Sequence, residues 1–73
     1  MQKNINCRIG EVIRDKRMGK KLSQEQLALA SDVDRSYVSI LERGLKSPTI
    51  ETLERIPTAL GCSLAQLVLE AQK

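Results

Sequence analysis

Arg35, Ser36 and Ser39 are the side chains of this sequence whose types and spacing best suit a chemical task, and they fall in the run Asp34-Arg-Ser-Tyr-Val-Ser-Ile-Leu-Glu-Arg43. That task is hydrogen bonding rather than bond breaking. An arginine at the start of a helix that enters the major groove donates two parallel bonds to guanine O6 and N7. Arg35 is therefore the first candidate for reading a base, the other reading being a phosphate clamp or a solvated charge. Ser36 suits a base edge or a phosphate equally, and Ser39 lies one turn on, on the same face. Catalysis is not expected: the 73 residues hold no histidine, no nucleophile with a base at hand and no phosphate-binding loop. Cys7 and Cys62 are far apart, with no Cys-x-x-Cys between them, so neither a metal nor any other cofactor is expected. Each cysteine reads as a small apolar filler, Cys62 the more buried because it follows Leu60.

The elements that must hold these side chains are all helical. Ser23 and Gln26 form a capping box that opens a helix over about Gln24 to Ser31, with Leu27, Ala28 and Ser31 facing inward. Asp34 is expected to cap the next helix, Arg35 to Arg43, and Gly44 to stop it. Asp32, between the two, must turn the chain sharply, and Asp tolerates the left-handed backbone. Ala28 is small at the crossing while Val33, Val38 and Leu41 supply bulk, so the pattern over 24–43 is a helix-turn-helix.

An earlier helix is predicted over about Asn6 to Met18, with Ile9, Val12, Ile13 and Arg17 inward and Gly19 ending it. After Pro48, Thr49 caps a fourth helix with Ile50, Leu53, Ile56 and Leu60 as its stripe, and Gly61 closes it. Pro57 falls inside, where it removes the bond to the Leu53 carbonyl and should kink or split the helix. Ser63 and Gln66 open a fifth helix bearing Leu64, Leu67 and Val68, and Ala71-Gln-Lys should fray. The prediction is an all-α fold of five helices in a single domain, 1–73, with helices four and five over about 50–70.

Composition sets limits on the partners. Twelve Lys+Arg against nine Asp+Glu give a net charge of +3, a modest bias toward polyanions. Tyr37 is the one aromatic residue, so base-stacking platforms are missing and duplex DNA is favoured over RNA. Met1-Gln-Lys-Asn-Ile-Asn carries no apolar leader, and no later run approaches the ~20 apolar residues of a membrane span. A cytoplasmic protein without a membrane partner is expected.

Four motifs in order and spacing carry a family resemblance: Leu22-Ser-Gln-Glu-Gln-Leu-Ala, Val33-Asp-Arg-Ser-Tyr-Val-Ser, Leu41-Glu-Arg-Gly and Pro48-Thr-Ile-Glu-Thr-Leu. From about Ile9 to Leu67 the chain resembles the lambda-repressor-like (Xre, Cro/CI-type) regulators. Within that family it is similar to the controller proteins of restriction-modification systems, although stand-alone phage repressors and antitoxin-type regulators share the same features. The resemblance implies a sequence-specific double-stranded DNA-binding transcriptional regulator, acting as a homodimer on palindromic operators. The alternative is an antitoxin or phage-type repressor whose main partner is another protein.

Further residue roles follow from that resemblance. It makes Gln24, at the positive start of helix two, a phosphate ligand, and it pairs Arg17 with Glu42 in a structural salt bridge. Tyr37 is a core aromatic or a phosphate donor, the donor being favoured. Arg43, Lys46 and Ser47 form a second phosphate or minor-groove contact, while Lys20 and Lys21 read as solvated charges. Ile40, where the family often has a polar residue, meets a thymine methyl or faces the surface. The dimer interface is placed on Leu64, Val68 and Leu69, with the core also claiming Leu64. Glu51 and Glu54 either touch RNA polymerase or merely suit the helix dipole.

Overall fold

A computed structural model describes residues 4–73, so the reading of Met1–Lys3 as free of a leader lies outside the described residues. Five helices follow one another: α1 (Ile5–Gly19), α2 (Gln24–Ser31), α3 (Arg35–Glu42), α4 (Ile50–Ala59) and α5 (Leu64–Ala71). The start signals work as local chemistry dictates. Ser23 and Ser63 each accept from the backbone of the residue three positions on, and Gln26 and Gln66 return the bond. Asn4 and Thr49 cap α1 and α4 by single side-chain bonds. Asp34 departs from expectation: it occupies the cap position of α3 but its side chain makes no capping bond. The exposed carboxylate stays in water instead.

Turn chemistry differs from the sequence reading at one place. Asp32 is left-handed with φ 57°, as the tight turn between α2 and α3 requires. Gly44 and Gly61 also have positive φ. Gly19, however, is simply the last residue of α1, and the reversal is made two residues later by Lys21 at φ 59°.

The core gathers Ile9, Ile13, Leu27, Ala28, Val38, Leu41, Ile56, Leu60, Leu67 and Ala71. Three expectations fail here. Ile50, the first residue of α4, is 78% exposed, and Thr52 takes the inward position. Leu64 is 38% exposed and belongs to the surface of α5 rather than the core. Ala71 does not fray but is buried, because it lies one turn beyond Leu67 on the face that α5 turns to its neighbours. Cys62 is no more than half-buried, as is Cys7; Cys62 packs at the edge of the core.

Pro57 neither breaks nor splits α4, which runs unbroken from Ile50 to Ala59. Its ring is fully buried. Only two helical residues follow it, and the apolar surface that the ring buries offsets the missing hydrogen bond.

α1 packs on α3 and α5, and α2 packs on α3 and α4. Gly10 makes the first of these contacts possible. A Cβ there would fall 2.3 Å from the Leu41 carbonyl oxygen and 2.8 Å from that of Glu42, so the backbones of α1 and α3 meet without side chains between them. Backbone atoms cannot move aside as a flexible side chain can. Gly10→Ala is expected to destabilise the fold by about 1–3 kcal/mol, read as a melting temperature lower by roughly 4 °C or more.

Candidate nucleic-acid interface

α3 divides into two faces. Val38 and Leu41 are buried beside the Glu42 carboxylate, while Arg35 and Ser36 are exposed and Ser39 is half-buried. Arg35 stands at the first helical position, and Ser39 follows four residues later. Arg43 comes one turn further on, its Nε donating to the Ser39 carbonyl at 3.4 Å. Ile40 is half-buried.

The position of that face is fixed by a single carboxylate. Arg17 Nε donates to Glu42 Oε2 at 2.7 Å, Arg17 Nη2 donates to Oε1 at 3.0 Å, and Gln24 Nε2 donates to Oε1 at 3.2 Å. Arg17 Nη1 also donates to the Leu22 carbonyl at 2.8 Å, tying in the loop before α2. The hydrogen bond that Arg17 donates to Glu42 raises the Arg17 pKa, opposed by burial. The Arg17 and Glu42 side chains keep only 13% and 3% of their exposure. Gln24 thus spends one amide hydrogen inside the protein and joins α2 to the pair.

Tyr37 serves the interior with both of its parts. Its ring packs against the core, and its hydroxyl accepts from the Thr49 backbone and from Thr52 Oγ1, each at 3.3 Å. Thr49 Oγ1 in turn donates to Thr52 Oγ1 at 2.9 Å. The two readings of Tyr37 are therefore compatible, because a hydroxyl that accepts twice keeps its own hydrogen to give. Burial pushes the phenol pKa up, but the bonds from Thr52 and Thr49 and the nearby Lys46 charge outweigh it, leaving the pKa below its usual value. Thr52 was not foreseen, although a threonine interrupting the apolar stripe of α4, three residues after the cap, was its signal.

Lys46 and Ser47 are exposed on the loop after α3. Between Arg35 and Ser47 the charged residues are Arg35, Glu42, Arg43 and Lys46. Glu42 is buried under Arg17, so residues 35–47 present three exposed cations, with the exposed carboxylate of Asp34 next to Arg35. In a chain whose net charge is only +3, this stretch sets three exposed cations beside hydrogen-bonding side chains, an arrangement suited to a polyanion.

Known proteins match this arrangement. The helix-turn-helix family model HTH_3 covers residues 13–67. The chain belongs to that helix-turn-helix family. Among curated relatives, the control protein C.BamHI of Bacillus amyloliquefaciens is 39% identical over 62 residues, 84% of this chain and 76% of the relative. The control protein C.MunI of a Mycoplasma species is 35% identical over 71 residues, 96% of each chain. Among solved structures, the restriction-modification controller protein C.Esp1396I, a tetramer in complex with its natural 35 base-pair operator, superposes with a TM-score of 0.81. It is 33% identical over 99% of this chain and 100% of its own. The family thus agrees with the fold and with the helix-turn-helix read from α2 and α3.

The other surface singled out in the sequence lies on α5. Leu69 is 61% exposed, Leu64 is also exposed and Val68 is half-buried, while Leu67 and Ala71 face inward. Among the described residues, no helix is long and apolar enough to cross a membrane.

Losing one partner of a buried ion pair leaves the other charge uncompensated. Glu42→Ala is therefore expected to cost about 3–5 kcal/mol, a large share of the stability of so small a fold. Thermal unfolding followed by circular dichroism checks this: an unchanged melting temperature would show that Glu42 does not hold α3 in place.

Proposed function

We propose that this protein is a sequence-reading, double-stranded DNA-binding transcriptional regulator that acts in the cytoplasm as a homodimer on palindromic operators, as a restriction-modification controller would. The surface from Arg35 to Ser47, with three exposed cations and its one acid buried, is the observation that carries the reading. Arg35 and Ser36 stand where a helix entering the major groove meets base edges, and Ser39 lies one turn deeper. Gln24, Tyr37, Arg43, Lys46 and Ser47 hold the phosphates on either side, fixing register without carrying sequence information. The control-protein relatives and the operator-bound tetramer support the DNA-binding reading as a whole.

One recognition helix reads only a few base pairs, so selectivity requires two. Leu64, Val68 and Leu69 supply the apolar surface for a two-fold pairing of α5, with half-sites ~34 Å apart. RNA polymerase is the further partner of this reading, since a regulator bound beside a promoter changes polymerase access or recruitment. Glu51 lies 3.9 Å from Arg55, and both Glu51 and Glu54 are exposed to such a partner.

Fluorescence anisotropy against the duplex upstream of the protein's own gene, with scrambled duplex for comparison, tests the reading. Arg35→Ala is expected to weaken binding to that duplex by roughly tenfold or more while hardly changing the scrambled one. Lys46→Ala should weaken both alike and reduce the salt slope by about 1. Weak binding equal on both duplexes would instead favour a protein partner. Leu69→Glu, at an exposed position, should shift sedimentation from dimer to monomer with the melting of the monomer retained; a dimer that persists removes α5 from the interface.

A further inference from the structure

Asn6 lies in the first turn of α1, far in sequence from the recognition surface, yet its Nδ2 donates to Ser47 Oγ at 2.9 Å. Its neighbour Cys7 lies under the other end of the same loop. A Cβ on Gly44 would fall 2.7 Å from the Cys7 Cα and 2.7 Å from its sulfur. The start of α1 therefore touches the loop at Gly44 and at Ser47, on both sides of Leu45 and Lys46. Gly44 has φ +71°, so the chain leaves α3 by a backbone turn that a glycine makes without strain, and Asn6 is what meets it at the far end.

The direction of the bond decides its consequence. A serine hydroxyl has one hydrogen to give and two lone pairs to accept with. By donating to Ser47 Oγ, Asn6 fills an acceptor site and leaves the Ser47 hydrogen unspent. Among the described residues no acceptor takes it. Tyr37 Oη is held in the same way by Thr49 and Thr52, so two hydroxyls beside the exposed cations are each fixed by bonds they accept. A phosphate oxygen only accepts, and hydroxyls oriented in this sense are matched to it.

The geometry points to Asn6 as a positioning residue that holds the loop Gly44–Ser47 against α1 and directs the Ser47 hydroxyl as a donor to a DNA phosphate. This rests on the DNA-binding reading above. Asn6 itself does not touch DNA in this role and acts through Ser47.

Stability and affinity then separate in sign. Alanine has a higher helix propensity than asparagine, and an aspartate suits the first turn of a helix through the dipole. Neither Asn6→Ala nor Asn6→Asp should lower the melting temperature. Asn6→Ala should weaken binding to the duplex upstream of the gene by about fivefold, the loss of one net hydrogen bond. Asn6→Asp should weaken it further, because a carboxylate only accepts, draws the Ser47 hydrogen inward and places negative charge near the phosphate. The double variant Asn6→Ala/Ser47→Ala should bind no more weakly than Ser47→Ala alone.

Losses that multiply in the double variant, or a melting temperature that falls along with affinity, overturn the positioning role. So does an Asn6→Asp variant that binds as wild type while Arg35→Ala does not. A wild-type protein that fails to distinguish the upstream duplex from a scrambled one overturns the DNA-binding reading itself.

Discussion

The orientation of α3 depends on one buried carboxylate. Taking a carboxylate out of water costs several kcal/mol unless well-aligned donors replace the lost hydration, and Glu42 receives three, two from Arg17 and one from Gln24. Those donors come from α1 and α2, so the acid of α3 is satisfied in only one mutual arrangement of the three helices. Hydrophobic contacts do not impose that condition, because burial of apolar surface is non-directional. An eight-residue helix such as α3 is not stable alone, and Val38 and Leu41 settle only that it is buried on one side. The forked geometry of the guanidinium settles how it is turned.

Gly10 is the steric counterpart of that electrostatic constraint. Arg17 pairs with Glu42 only if α1 comes close to the end of α3, and the approach at Gly10 is so close that no side chain fits between the backbones. Asn6, Gly10 and Arg17 recur at spacings of four and seven along α1, so they share one face of the helix. That face meets the loop after α3, the last carbonyls of α3 and the Glu42 carboxylate in turn. Through these contacts α1 fixes where the end of α3 and the loop after it stand.

The fold was legible because its signals are local. The capping boxes at Ser23 and Ser63, the left-handed Asp32 and the glycines after α3 and α4 are each written in a few neighbouring residues, and helix boundaries fell within about one residue of expectation. What escaped was nonlocal or depended on degree. Periodicity assigned Ile50 and Leu64 to the core, but each is the first residue of its helix, where the inward face is not yet covered. A proline inside a helix suggests a break, and only the packing around Pro57 shows why α4 continues. At the candidate site, the exposed residues were readable from their types and helical spacing. The Gln24 bond to Glu42, the support of Tyr37 by Thr52 and the bond from Asn6 to Ser47 join residues 18, 15 and 41 positions apart, and no local pattern announces them.

The end of α1 also links α5 to α3. Lys16 reaches Glu70 on α5 at 2.7 Å, and the next residue, Arg17, reaches Glu42 on α3. The two bridges differ in kind. Lys16 and Glu70 keep 26% and 44% of their exposure, so salt screens them and they add little to stability; Glu70 nonetheless raises the Lys16 pKa through its hydrogen bond. The Arg17–Glu42 bridge is shielded from solvent and is screened much less. Rising ionic strength therefore loosens the tie between α1 and α5 while leaving α3 where it is. The exposed face of α3 keeps its orientation under salt that screens surface charges, and a DNA complex of the kind proposed above would weaken with salt without passing through unfolding.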